Sequence, residues 1–441
     1  MYANKQWILT VICITALASA SVWASENMAP QTYELSEEWA AAIGPPVVVA
    51  LSEPGEERWG WYQFPTLSYM PDGAILCAFS HQHDAAFAYG NPMAAYVSRD
   101  EGRTWEQIES QDSNRNLAAP HGSIAKVYNG EFLLMPARPA FDVTGSHLEL
   151  PEPVSRDFGH RSDRLYRAEQ LPEEILNYLS SIDAFRWYPE SKSWVRERVS
   201  YSQDRAVSWC TRGKTKEDWL IPSTWFEHPP LRSNGELLYA DYRQLYMEPD
   251  GFVPKNRAAS LMVSKDNGHS FYKRSTIAID RTGTVVMGEP CLAKTSDGGL
   301  ACVMRRQKGN WKGLMPLAIA FSKDNGETWG PPVSFAHLGV FPGMVLLENR
   351  VLALSYGRPG VHLSFSLDGL GSDWTKPITL REGNPDSLLT KSCGYTAILP
   401  VSSNAFLVAY SNFEYTAQDG TRYKAILVRR VTLKRHEGPP S

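Results

Sequence analysis

The stretch MGEPCLAKTSDGGLACVMRR, residues 287–306, puts a glutamate and two arginines on the two arms of one hairpin. Glu289 and Arg305 fall on neighbouring strands, and Arg306 points to the other face because side chains alternate along a strand. The pattern fits a carboxylate held for proton transfer, and equally a buried carboxylate paired to an arginine. KSCGYTAILP brings Tyr395. A phenol is a poor nucleophile at neutral pH unless a neighbouring carboxylate takes its proton. HQHDAAFAYGNP carries His81, His83 and Asp84. The two histidines alternate onto one face of an extended chain; with Asp84 they offer a short metal-ligand set or a run of solvated loop polars. Arg358 lies in SYGRPGVHLSFSLD. Tyr242 in YADYRQLY and Arg257 in KNRAAS sit on the two sides of one hairpin, and His121 lies in AAPHGS. Gln63, in GWYQFPTL, donates two hydrogen bonds and carries no charge.

These residues need a scaffold that gathers distant strands, and a repeat supplies it. SRDEGRTW (98–105), SKDNGHSF (264–271) and SKDNGETW (322–329) are clear copies; SQDRAVSW (202–209) and SLDGLGSDW (366–374) are degraded ones. Each follows an apolar strand and precedes another extended stretch. The aspartate accepts hydrogen bonds from turn N–H groups, the glycine takes a positive φ, and the aromatic folds back as an anchor. The repeat period predicts an all-β propeller of six blades, over about 46–110, 111–213, 214–280, 281–337, 338–384 and 385–436. PPVVVAL at 45–51 is placed to add the outer strand of the last blade and close the ring. The second blade is too long. An insertion over about 138–195 carries His147, His160, Arg161 and Arg164, and Leu171, Ile175, Leu176 and Leu179 after Pro172 predict a short helix there. It reads as a binding loop or lid, or as decoration.

The turn motif resembles the Asp-box of the sialidase (neuraminidase) superfamily, and the likeness runs over nearly the whole mature chain. It implies a sialidase-type six-bladed propeller and a set of roles. Tyr395 matches the nucleophile, Glu289 its partner and Asp84 the acid/base. Arg305 and Arg358 match two of three arginines that hold a sugar carboxylate. A tyrosine nucleophile is the exception among glycosidases, which mostly use two carboxylates. At the first arginine position this chain has Gln63, followed by Phe64-Pro65. Charge-assisted hydrogen bonds are worth about 1.5–3 kcal/mol each, so this loss disfavours sialic acid roughly ten- to a hundredfold. Gln63 then meets a hydroxyl, an amide or a sulfate edge of some other substrate.

The bulk composition sets the remaining bounds. Lys+Arg number 44 against 48 Asp+Glu, so there is no basic excess for nucleic acid. Trp 14 and Tyr 20 suit sugar stacking as well as β cores. Lys5, the apolar run WILTVICITALA and the small residues before Ala24 make a secretory signal over 1–24, so the protein is expected to be secreted or periplasmic, with no membrane span. Removing it leaves Cys77, Cys210, Cys291, Cys302 and Cys393, with Cys291 and Cys302 flanking one turn and either bonded or free. No cofactor or structural metal is called for. The partner expected is a glycan or anionic polysaccharide. Three functions fit: a glycosidase acting through Tyr395, Glu289 and Asp84; a polysaccharide lyase using His121, Tyr242 and Arg257 on a uronate; and a non-catalytic glycan-binding propeller.

Overall fold

Residues 29–436 are described by a computed structural model, apart from 86–87, 89–92, 109–122, 160–162, 213–216, 223–225, 310–312 and 390. The signal segment, His121, His160 and Arg161 lie outside the described residues.

Around the axis, the described short apolar runs, broken by Gly, Asp and Asn turns, pair into three four-stranded antiparallel sheets, a six-stranded sheet that takes in Gln31–Glu34 and Trp39–Ile43, and an eight-stranded sheet whose two four-stranded antiparallel units are joined by a parallel pairing of Ser193–Tyr201 with Ser270–Ala278. The first strands of the units are Trp61–Tyr69, Ile124–Lys126, Leu231–Ser233, Val285–Lys294, Val340–Leu346 and Thr396–Ser402. They lie side by side around an axis: Val285–Lys294 touches Val340–Leu346, which touches Thr396–Ser402, which touches Trp61–Tyr69, which touches Ile124–Lys126. The apolar core is divided between the sheets. Cys291 and Val303 pack with Met344 and Leu352 between the fourth and fifth, and Leu67 and Phe79 pack with Leu407 and Ile426 between the sixth and first. The ring closes where Val47–Leu51 pairs antiparallel with Arg422–Arg435, as the sequence predicts. The fold is an all-β propeller.

The serine–aspartate turns have the expected wiring. The Asp266 carboxylate accepts from the Ser270 N–H at 2.9 Å and from its hydroxyl at 2.5 Å. Asp324 accepts likewise from Thr328. Their glycines and aromatics reach across to the preceding sheet. The Trp329 indole donates to Ser275 Oγ at 3.1 Å, and Gly268 lies where a Cβ would stand 2.7 Å from Leu133 Cδ2.

The extra length is distributed differently from the expected single insertion over 138–195. Ser181–Tyr188 and Ser193–Tyr201 belong to the second four-stranded unit. The additional residues instead fall in two stretches, one before Ser181 and one between Tyr201 and Leu231. They build a further sheet from Phe141–Asp142, Ser155–Phe158, Asp163–Arg167, Ala206–Arg212 and Asp218–Leu220, joined by Leu245–Tyr246. SQDRAVSW starts a strand of this sheet rather than a turn within a propeller unit. Its Trp209 packs edge-on against Phe158 and donates to Asp163 at 2.8 Å. The predicted helix spans Glu173–Leu179 and buries Ile175 and Leu179.

Cys291 pairs with Val303, and Leu292 with Cys302. The two cysteines therefore project from opposite faces, one into each neighbouring core. All five described cysteines are free and buried.

Gly268 has φ 90°, a conformation that costs a side-chain-bearing residue about 1–3 kcal/mol, and an added methyl would also press on Leu133. Gly268→Ala is expected to lower unfolding stability by about 2 kcal/mol in a denaturant titration. An unchanged midpoint would show that this turn does not bind the two sheets together.

Candidate functional site

Three first strands share a local device. In each, a residue before proline takes a positive φ: Phe64 at 55°, Glu289 at 48° and Phe341 at 41°. The strand register shifts at each of these points, so each is a bulge that re-aims a side chain. All three side chains meet Tyr395. The Phe341 ring stacks on it with centroids 4.5 Å apart, Phe64 stands edge-on at 4.8 Å, and the Tyr395 hydroxyl donates to Glu289 Oε1. Tyr395 itself follows Gly394 at φ 78° and keeps partial exposure.

Glu289 is 4% exposed, and its carboxylate is held from several sides. Arg305 Nη1 donates to Oε1 at 2.7 Å, and the Phe341 N–H donates to Oε2 at 2.8 Å. Burial pushes the carboxyl upward, but Arg305, the Tyr395 hydroxyl and Arg358 together outweigh it, so Glu289 sits below the usual carboxylate range. Tyr395 goes the other way. Burial and the Glu289 charge hold its phenol well above 10. The resting pair is an ionised carboxylate accepting from a neutral phenol. Arg306, as expected, leaves this face and donates to the Pro316 carbonyl at 2.9 Å.

One wall comes from the third unit. Tyr242, Arg257, Gly288, Glu289, Arg305 and Gln307 line a small recess. The Tyr242 hydroxyl lies 3.4 Å from Glu227 Oε1, and Arg243 pairs with the same carboxylate. Burial, despite Arg243, raises the Glu227 carboxyl above its ordinary value. The Arg257 guanidinium lies 5.2 Å from the Tyr242 ring and 4.7 Å from Trp209, so the additional sheet abuts this wall. His228 packs on Phe341 at 4.8 Å, and burial pushes its pKa down to about 4.

The rim is built around Trp59. Its indole donates to Asp84 Oδ2 at 3.0 Å and stands edge-on to Phe64 at 6.0 Å. The Arg358 guanidinium lies 5.9 Å from this indole and 5.7 Å from the Tyr395 ring, while donating to the Cys393 carbonyl at 3.1 and 2.7 Å. Asp84 is exposed, one indole away from the Phe64–Tyr395 contact. His83 packs edge-on against Trp61 at 4.8 Å, and His81 is exposed. Among the described residues, no group of three or more His, Cys, Asp or Glu is placed to hold a metal ion.

Thus Tyr395, Glu289, Arg305 and Arg358 gather at one place, with Tyr242 and Arg257 beside Glu289 and Asp84 at the rim. Gln63 differs from the expectation of a substrate contact. Its side chain is 0% exposed, and neither amide atom has a hydrogen-bond partner among the described residues. The flanking bulges at Tyr62 and Phe64 turn Phe64, not Gln63, toward Tyr395. Sequence reasoning missed Trp59, Phe341, Glu227 and His228. Phe341 and His228 did carry a signal, since QFP, EHP, GEP and VFP recur at or just before the first strands of the first, third, fourth and fifth units.

No family model matches the chain, and no curated protein matches it in sequence. Solved structures do resemble it. A protein of unknown function from Dyadobacter fermentans DSM 18053 superposes with a TM-score of 0.58 at 17% identity, covering 90% of this chain and 99% of that one. A Penicillium chrysogenum alpha-L-arabinanase gives 0.49 at 14% identity, over 88% of this chain and 98% of that one. The Hadza microbial sialidase Hz136 gives 0.49 at 14% identity, over 85% and 65%. These likenesses concern the fold. Among the described residues, no helix is long and apolar enough to cross a membrane.

A carboxylate held below its ordinary pKa stabilises the fold above the unfolded value of about 4.5, and that contribution is lost as pH falls through the lower folded value. Glu289→Gln is expected to cost about 3 kcal/mol at pH 7, because it leaves Arg305 buried without its charge partner. The stability difference between wild type and variant should shrink as the pH is lowered from 6 toward 3. A difference independent of pH would mean that Glu289 is not ionised in the native state.

Proposed function

We propose that the protein is a secreted glycoside hydrolase that removes a terminal sugar, an acidic one, from a glycan or polysaccharide. The observation that carries this is the Tyr395–Glu289 hydrogen bond at a partly exposed phenol, with Arg305 and Arg358 beside it. A neutral nucleophile does not repel an anionic sugar, and the two guanidiniums suit a carboxylate. Tyr395 Oη attacks the anomeric carbon as Glu289 takes its proton, and the glycosidic bond breaks as Asp84 protonates the leaving oxygen. Asp84, now a carboxylate, then deprotonates a water. That water attacks the anomeric carbon, the C–O bond to Tyr395 breaks, and Glu289 returns the proton to the phenolate oxygen. Two displacements retain the anomeric configuration. The placing of Asp84 on the Trp59 indole, one ring from the Tyr395 cluster, supports its role as the acid.

A second reading, β-elimination of a uronate, draws on the Arg257 guanidinium 5.2 Å from the Tyr242 ring beside the same recess. Tyr242 is 4% exposed and directed at Glu227, which favours the hydrolase.

The test is a panel of aryl sialosides, aryl uronosides and uronic-acid polysaccharides, followed for new reducing ends and for the ultraviolet absorbance of a new C=C bond. Reducing ends alone are expected. Tyr395→Phe should abolish turnover of the best substrate while leaving the circular-dichroism spectrum unchanged. Asp84→Asn should lower kcat by about 10²–10⁴ on natural linkages and much less on activated aryl leaving groups. An unsaturated product, or full activity in Tyr395→Phe, would overturn the assignment.

A further inference from the structure

Trp59 takes part in two surroundings. It stands edge-on to Phe64 of the Tyr395 cluster, and it lines a groove of about 400 Å³ shared with Phe413, Leu389 and Tyr423. That volume lies within the usual range for small-molecule sites, about 300–1,000 Å³. The groove is separate from the recess at Glu289, and no role in the reaction above uses it. We infer that it is a leaving-group subsite for a neutral sugar residue, the one that follows the scissile bond in the chain.

The direction follows from Asp84, and to that extent the inference rests on the glycosidase reading. The acid must stand on the leaving-group side of the bond. Asp84 is held by the Trp59 indole N–H, so the sugar it releases departs toward Trp59. The walls suit a sugar ring. Trp59 is 36% exposed and buttressed edge-on by Phe413 with centroids 6.4 Å apart, which fixes an apolar face for the C–H side of a pyranose or furanose. Leu389 adds a further apolar surface at 44% exposure.

The charges suit a neutral occupant. Glu56 is paired with Arg58, and Arg422 lies 3.3 Å from Glu414. The Lys424 ammonium donates to the Arg58 carbonyl and lies 4.8 Å from the Phe413 ring. The charged lining is two carboxylates, Glu56 and Glu57, and two cations, Arg422 and Lys424, so the formal charge of the walls sums to zero and does not draw a polyanion. They still present oxygens and N–H groups to hydroxyls.

Neutral oligosaccharides probe this groove independently of catalysis. The experiment is isothermal titration of the Tyr395→Phe protein with xylo-, manno- and gluco-oligosaccharides of one to five sugars. At least one series is expected to bind with a Kd below about 1 mM. Two replacements test the location: Leu389→Arg, which fills the groove from an exposed position, and Phe413→Ala, which removes the buttress. Each should weaken that binding about tenfold or more. Thermal melts of both variants control for folding. The subsite is overturned if no series binds, or if binding survives both replacements. Groove binding without any hydrolase activity would leave the subsite standing and remove the glycosidase reading; hydrolysis without groove binding would do the reverse.

Discussion

A buried carboxylate organises the centre of this molecule. Glu289 lies on the first strand of the fourth sheet, yet its partners come from elsewhere as well: Arg305 from the second strand, the Phe341 N–H from the fifth sheet, and the Tyr395 hydroxyl from the start of the sixth. An ion removed from water without such partners costs several kcal/mol. The charge is therefore tolerable only when the ring is complete. Closure by Val47–Leu51 and the apolar layers between sheets do more than stabilise a scaffold. They bring the donors that keep Glu289 ionised, and an ionised Glu289 in turn keeps the neighbouring phenol protonated.

The side chains around that charge are aimed by strained backbone. Phe64, Glu289 and Phe341 each adopt a positive φ just before a proline, where ordinary residues resist it. Such conformations cost about 1–3 kcal/mol apiece and persist only where surrounding packing over-determines them. Here the flanking strand segments are buried on both sides. The bulge turns a residue that regular alternation would send into a sheet interface toward the axis instead. The same device explains why Gln63 is enclosed: its neighbour Phe64 takes the place facing Tyr395.

The surroundings of the site divide by chemistry. The floor and the third-unit wall are rich in arginine and carboxylate, with Arg243 on Glu227 and Arg257 reaching Trp209 of the additional sheet. The rim at Trp59 is aromatic and more open. A charged inner recess thus lies beside an aromatic outer groove.

Much of this was legible in the chain itself. The serine–aspartate turns set the repeat, because a carboxylate bridging its own turn is a local interaction that needs nothing distant. Local strand pairing placed Glu289 and Arg305 on the two arms of one hairpin, and the spacing of Leu171, Ile175 and Leu179 marked a short helix in the additional segment. Tertiary structure decided the rest. A bulge reverses which face a residue presents, so Gln63 could not be told from a ligand contact by its position before Phe64-Pro65. The additional strands were read as one insertion because their pairing, between segments on either side of Ser181–Tyr201, is non-local. Trp59 gained its place through Phe64 on the strand that follows it, Asp84 just beyond the next strand of the same hairpin, and Phe413, which ring closure brings from the last sheet. Motifs written in consecutive residues survive folding unchanged; contacts between sheets exist only once the ring has closed.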